Sequence, residues 1–173
     1  MRASSARRHD SAMERGAQLV WAGYAAFAWG VVFAGISFYW ASGGTLGADT
    51  VGGSIEQLGR ARDPVLLAAL WITGFLKVLG ALLAVALVHP LSRTLPRRPV
   101  ALLGVAATVL LTLYGGVLVS GEALTATGAV KPPGPIDWKA LLWHLYVWDM
   151  SFLVWGILFG LATWHYTRAV RRR

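Results

Sequence analysis

Four long apolar stretches separated by short polar ones set the pattern of this chain: residues 17–42, 64–88, 100–120 and 138–166. Each has helical length, and about 20 apolar residues suffice to cross a bilayer as an α-helix. Within 65–88 a single charge, Lys77, sits near the middle; 100–120 is uncharged; 138–166 carries one carboxylate, Asp149. The pattern predicts an all-α fold, a four-helix transmembrane bundle over residues 17–166. Basic tails flank it at 1–16 and 167–173. The first tail lacks a hydrophobic period and reads as disordered. The run 17–42 exceeds the roughly 7–15 residues of a secretory h-region, so it is read as a retained span.

Local signals mark the ends of these elements. Asp63-Pro64 pairs a capping carboxylate with a proline at the first helical position, and Asp137 does the capping for the fourth span. Ser54 with Gln57 fits a capping box, which predicts a short interfacial helix over 55–62. Pro132-Pro133-Gly134-Pro135 makes the second long loop stiff and non-helical. Glycines crowd the loop 43–63, but the strand, helix and Lys-Ser/Thr of a phosphate-binding loop are missing. Tight turns are the reading that remains.

Periodicity then says which way side chains point. At 3.6 residues per turn, Thr73, Gly74, Gly80, Ala81 and Ala84 share the face of Lys77. Ile72, Phe75, Leu79, Leu82 and Leu83 lie opposite. Small residues mark helix contacts in a bilayer and bulky aliphatics face lipid, so Lys77 is expected to point inward. Ala26, Gly30 and Ala34 give the first span a small face, and Gly156 and Gly160 form a GxxxG on the stripe of Asp149. The candidate packing positions are therefore Gly30, Gly80, Gly156 and Gly160. Counted from the capping aspartates, Lys77 lies fourteen residues down its helix and Asp149 twelve. That difference is about 3 Å of depth, and lysine leans toward its helix N-terminus. The expectation is a buried Lys77–Asp149 ion pair. A lysine at such depth costs about 2.5–3.5 kcal/mol on insertion scales. It therefore needs a partner or a role, either in fixing helix register or in serving an ion or substrate pathway.

Composition sharpens the class. The chain has 173 residues, of which 56% are hydrophobic and 14% charged, against about 25% charged in soluble domains. The net charge of +8 could suggest nucleic acid, but its distribution argues against that partner. Of the sixteen Lys and Arg residues, eleven fall in the two tails and the loop around Arg93, Arg97 and Arg98; four fall in the two other loops. The positive-inside rule then places both termini in the cytoplasm. Richness in Ala, Gly, Arg and Val fits a bacterial chain and a plasma (inner) membrane. Absence of cysteine excludes disulfides, thiol nucleophiles and thiolate metal ligands.

The remaining polar groups suggest no catalytic site. His144 lies about 140° around an α-helix from Asp149, so the two are not expected to form a dyad. His89 and His165 lack a neighbouring carboxylate, Glu122 reads as interfacial, and neither a Ser-His-Asp order nor HExxH occurs. No catalytic residue, metal ligand or cofactor is predicted. Trp138, Trp143, Trp148, Trp155 and Trp164 read chiefly as interfacial belt and lipid-facing packing. The first and third spans each end in an aromatic near Gly-Gly, which hints at two related hairpins, although chance similarity among apolar segments explains it as well.

The stretch Tyr39-Trp40-Ala41-Ser42-Gly43-Gly44-Thr45, the Asp63-Pro64 start, Lys77 and Trp148-Asp149 resemble a bacterial family of four-span membrane proteins, the domain of unknown function 3995. The resemblance covers about residues 20–166 and implies fold and location, with no role for any residue. The chain thus reads first as a non-enzymatic membrane protein, structural or partner-binding, with membrane lipid and a homo- or hetero-oligomer within the membrane as its partners. The alternative is a small transporter or ion-coupled subunit using Lys77 and Asp149; third comes a lipid-acting intramembrane enzyme.

Overall fold

Capping chemistry places most of the helix ends. The computed structural model describes residues 2–89 and 96–171. Helix α1 (Arg2–Ala41) closes in a Schellman turn: Gly44 N–H donates to Tyr39 O and Gly43 N–H to Trp40 O, each at 2.9 Å, with Gly43 at φ 93°. Only glycine takes that left-handed φ freely, which accounts for the Gly-Gly after the aromatic pair. Trp40 Nε1 then donates to Leu46 O at 2.9 Å and pins the following loop. Helix α2 (Gly53–Arg60) begins at Gly52, φ 67°, without a side-chain cap. The Ser54 capping box is therefore not formed. Two successive glycines with positive φ start the helix earlier and leave Ser54 inside its first turn.

Helix α3 (Pro64–Ala86) starts as expected, with Asp63 Oδ1 accepting from Val65 N and Leu66 N at 3.0 Å. Helix α4 (Arg97–Ala126) runs past both expected ends and so includes Glu122. The fourth span is not one regular helix. Asp137 caps α5 (Trp138–Trp143) through Ala140 N; a π-helical turn (His144–Trp148) follows; α6 (Asp149–Arg171) completes it. Helix α1 continues N-terminally to Arg2, where composition suggests an irregular tail; its membrane-length part is Val20–Ala41. With Pro64–Ala86, Arg97–Ala126 and Trp138–Arg168 it makes four helical segments long and apolar enough to cross a membrane. The fold is all-helical, with no strand among the described residues. Residues 90–95 of the middle loop, with Arg93, lie outside the described residues.

The helices pack as two tight pairs, α1–α3 and α4–α6, joined where α1 meets α6; α3 and α4 barely touch. Small residues let the backbones approach. On α1, Ala22, Ala26, Gly30, Ala34, Ser37 and Ala41 form a buried stripe. On α3, Gly74, Ala81 and Ala84 are buried while Ile72, Phe75, Leu79 and Leu82 are exposed on the opposite side. Trp155 is 3% exposed, so it belongs to the core and not to an aromatic belt. A Cβ at Gly30 would stand 2.7 Å from its ring and one at Gly80 3.0 Å from it, and its Nε1 donates to Ala26 O at 2.9 Å. A tryptophan with a buried carbonyl to bond can fill the space that glycines leave. Trp138, Trp143 and Trp164 are exposed.

The α4–α6 seam is closer still. A Cβ at Gly156 would lie 2.6 Å from Thr112 N, one at Gly115 2.4 Å from Leu153 N, and one at Gly160 3.2 Å from Thr108 Cγ2. Backbone cannot yield as a side-chain tip can. Gly156→Ala is therefore expected to destabilise the fold by about 1–3 kcal/mol. Gly121→Ala, whose Cβ meets nothing within 4 Å, should be neutral or stabilising by up to ~1 kcal/mol. Thermal unfolding of the two variants in detergent checks the contrast.

Candidate functional site

Polar side chains gather at the end of the bundle that carries the loops 42–63 and 127–137. The π-helical turn makes this possible. In an α-helix His144 and Asp149 would diverge by about 140°, but a wider turn with i→i+5 hydrogen bonds brings residues five apart together. His144 Nδ1 lies 2.8 Å from Asp149 Oδ2. The expectation that these two cannot form a dyad is thus corrected, because the helix geometry it assumed is locally absent. The same turn presents His144 to α4, where Glu122 Oε1 stands 3.7 Å from Nδ1. Glu122 is accordingly a partly buried member of the polar cluster. Its Oε2 is buried with no hydrogen-bond partner.

The 43–63 loop folds onto this cluster and holds it. His144 Nε2 lies 3.1 Å from Val51 O, and Trp148 Nε1 donates to Thr50 Oγ1 at 3.2 Å. Lys139 pairs with Asp49 at the rim, and that hydrogen bond holds the Asp49 carboxyl below the usual carboxylate range. Asp149 is 5% exposed, whereas His144 is partly open to the outside.

Lys77 points into the bundle, but it does not pair with Asp149. Its Nζ donates to Ser37 Oγ at 2.7 Å and sits over the Phe33 ring, 4.6 Å from the centroid, with Phe152 5.9 Å away. The expected ion pair is corrected on both sides: Ser37 and the aromatic faces take the ammonium, and the π-helical turn gives the carboxylate an imidazole. Depth alone predicted the meeting; the local helix geometry decided otherwise. The two groups instead line one cavity of about 160 Å³, with Phe33, Trp40, Tyr114 and Phe152 among its other walls. On the far side of the dyad lies a cleft of about 520 Å³ between α4 and α5, lined by Glu122, Asp137 and Leu141 among others. Tyr114, His144 and Asp149 wall both spaces.

The family described as Protein of unknown function (DUF3995) matches residues 30–159. The chain belongs to this family. Its matched segment begins within α1 and ends within α6, so it takes in Lys77, Glu122, His144 and Asp149. No match is found among curated proteins or among solved structures. Of the site, Lys77 and Asp149 were legible from the sequence as charges inside apolar runs; Glu122 and His144 were missed. The signal for them was weak: an acid near a span end and a histidine five residues before an aspartate.

Two cycles separate the observed contacts from the expected one. Lys77→Met and Asp149→Asn, which share a cavity but no hydrogen bond or ion pair, should couple less strongly than the His144–Asp149 pair. His144→Ala should cost about 1–3 kcal/mol by leaving a buried carboxylate without its partner. Combined with Asp149→Asn it should show coupling of about 0.5–3 kcal/mol. Unfolding midpoints in detergent read both cycles.

Proposed function

We propose that this chain is a non-enzymatic multi-pass membrane protein of transporter type, or an ion-coupled subunit, that takes a small polar species into the cavity between Lys77 and Asp149. One observation carries the reading. Two opposite charges, both inside apolar spans, face the same cavity and are not used to neutralise each other. Mutual neutralisation would make them architectural; charges kept apart across a cavity suit a dipolar or charged ligand, and intramembrane ionisable groups commonly mark such pathways. The π-helical turn in the fourth span supports it further, because such turns are frequent at functional sites.

The orientation follows from charge. With eleven of sixteen basic residues in the tails and middle loop, both termini face the cytoplasm of a bacterial cell, and the polar cluster lies toward the outer surface. Anionic lipid would hold the arginine-rich ends at the inner leaflet.

A chain without native cysteine suits accessibility mapping. A membrane-impermeant thiol reagent applied to intact cells is expected to label Leu46→Cys in the loop and Ile36→Cys on the cavity wall, and to leave Leu79→Cys on the lipid-facing side of α3 unlabelled. Labelling at Leu46→Cys without Ile36→Cys would leave the cavity closed to water and would count against transport.

A further inference from the structure

We infer that Glu122, His144 and Asp149 form a binding site for one divalent transition-metal ion of the zinc type. The three donor atoms lie within 4.8 Å of one another, with His144 Nδ1 2.8 Å from Asp149 Oδ2 and 3.7 Å from Glu122 Oε1. Zinc binds such nitrogen and oxygen donors at about 2.0–2.2 Å in tetrahedral geometry, which sets donors roughly 3.3–3.5 Å apart. The observed spacings bracket that value, and side-chain rotation alone adjusts them.

The tautomer argues the same way. His144 Nε2 donates to Val51 O, a backbone carbonyl that can only accept. In the neutral ring the lone pair is then on Nδ1, aimed at two carboxylates. Three acceptors converging on one point repel one another unless a cation or a shared proton sits between them. Orientation of a metal-binding histidine by a backbone carbonyl on its far nitrogen is the usual outer-shell arrangement. Lys77, the nearest buried cation along the cavity, is engaged with Ser37, and Lys139 with Asp49. Glu122 Oε2, buried without a partner, offers a further donor on the same carboxylate. Three protein ligands leave a fourth position, which opens on the 520 Å³ cleft that Glu122, His144 and Asp149 line. Imidazole with carboxylates selects zinc or its first-row neighbours over copper(I), for which the chain has no thiolate.

The test is equilibrium dialysis of the untagged, full-length chain in detergent. It is stripped with a chelator, re-exposed to Zn²⁺ and read by elemental analysis. About one equivalent is expected, with a rise in unfolding temperature. Glu122→Gln, which preserves shape, is expected to weaken binding at least tenfold, and His144→Gln to abolish it. Replacing His9, His89 and His165 together is expected to leave the stoichiometry unchanged. If Glu122→Gln binds Zn²⁺ as the parent does, or if the triple replacement removes the ion, the assignment is overturned. A parent that takes up no Zn²⁺ overturns it too and leaves a shared proton to join the three groups. The inference shares Asp149 with the solute-binding reading, and Lys77 separates the two: Lys77→Met should leave Zn²⁺ uptake intact while removing one wall charge of the cavity.

Discussion

The indole of Trp155 is the contact on which the helix arrangement depends. It lies against Gly30 of α1 and Gly80 of α3 while belonging to α6, and its N–H bonds the Ala26 carbonyl. Within lipid there is no hydrophobic gain in bringing helices together, so association rests on close packing and on interhelical hydrogen bonds. This one side chain supplies both. It occupies the width that two glycines vacate, and it joins the α1–α3 pair to α6, whose other side is locked to α4 by Gly115 and Gly156. Below it the interior is mostly apolar, with Phe159, Ala162 and Ala84 wholly buried beside the hydroxyls of Thr163 and Tyr166. The charged side chains Lys77, Glu122 and Asp149 lie at the end above it.

That end is organised by different means. The loop 43–63 closes the bundle with Thr50 and Val51, and tilted and edge-on aromatic rings of Phe33, Trp40, Trp148 and Phe152 line the cavity with Lys77 and the dyad. An ammonium over aromatic faces is stabilised by roughly 0.5–2 kcal/mol, which offsets part of the cost of its depth. The Asp149 carboxylate has the His144 ring beside it at 2.8 Å, and neither charge is neutralised across the cavity that both line.

The sequence made the spans, the capping aspartates and the inward direction of Lys77 readable, because each follows from a fixed period or a local hydrogen bond. Glycine spacing likewise pointed to the packing faces, and the observed contacts of Gly30, Gly80, Gly156 and Gly160 are made across helix seams. The pairing of Lys77 with Asp149 was a depth argument. It failed because depth does not fix azimuth once a helix departs from 3.6 residues per turn. The π-helical turn has no composition signature: His-Leu-Tyr-Val-Trp reads as ordinary apolar helix. Glu122 was hidden for a related reason, since α4 continues beyond the point where its hydropathy fades. Trp155 was misassigned because a tryptophan in a span looks alike whether it meets lipid or glycine.

The π-helical turn acts as a phase shift between two independent codes. Upstream of it, the fourth span faces the bundle with residues that serve the polar cluster; downstream, the same surface is occupied by Trp155, Gly156 and Phe159. A π turn amounts to one residue inserted in an α-helix. Wound as α-helix, the same five steps from His144 to Asp149 would turn through about 500° and rotate one code against the other by roughly a quarter turn. The winding of this one turn, more than the identity of any residue in it, decides whether the core and the polar end can coexist.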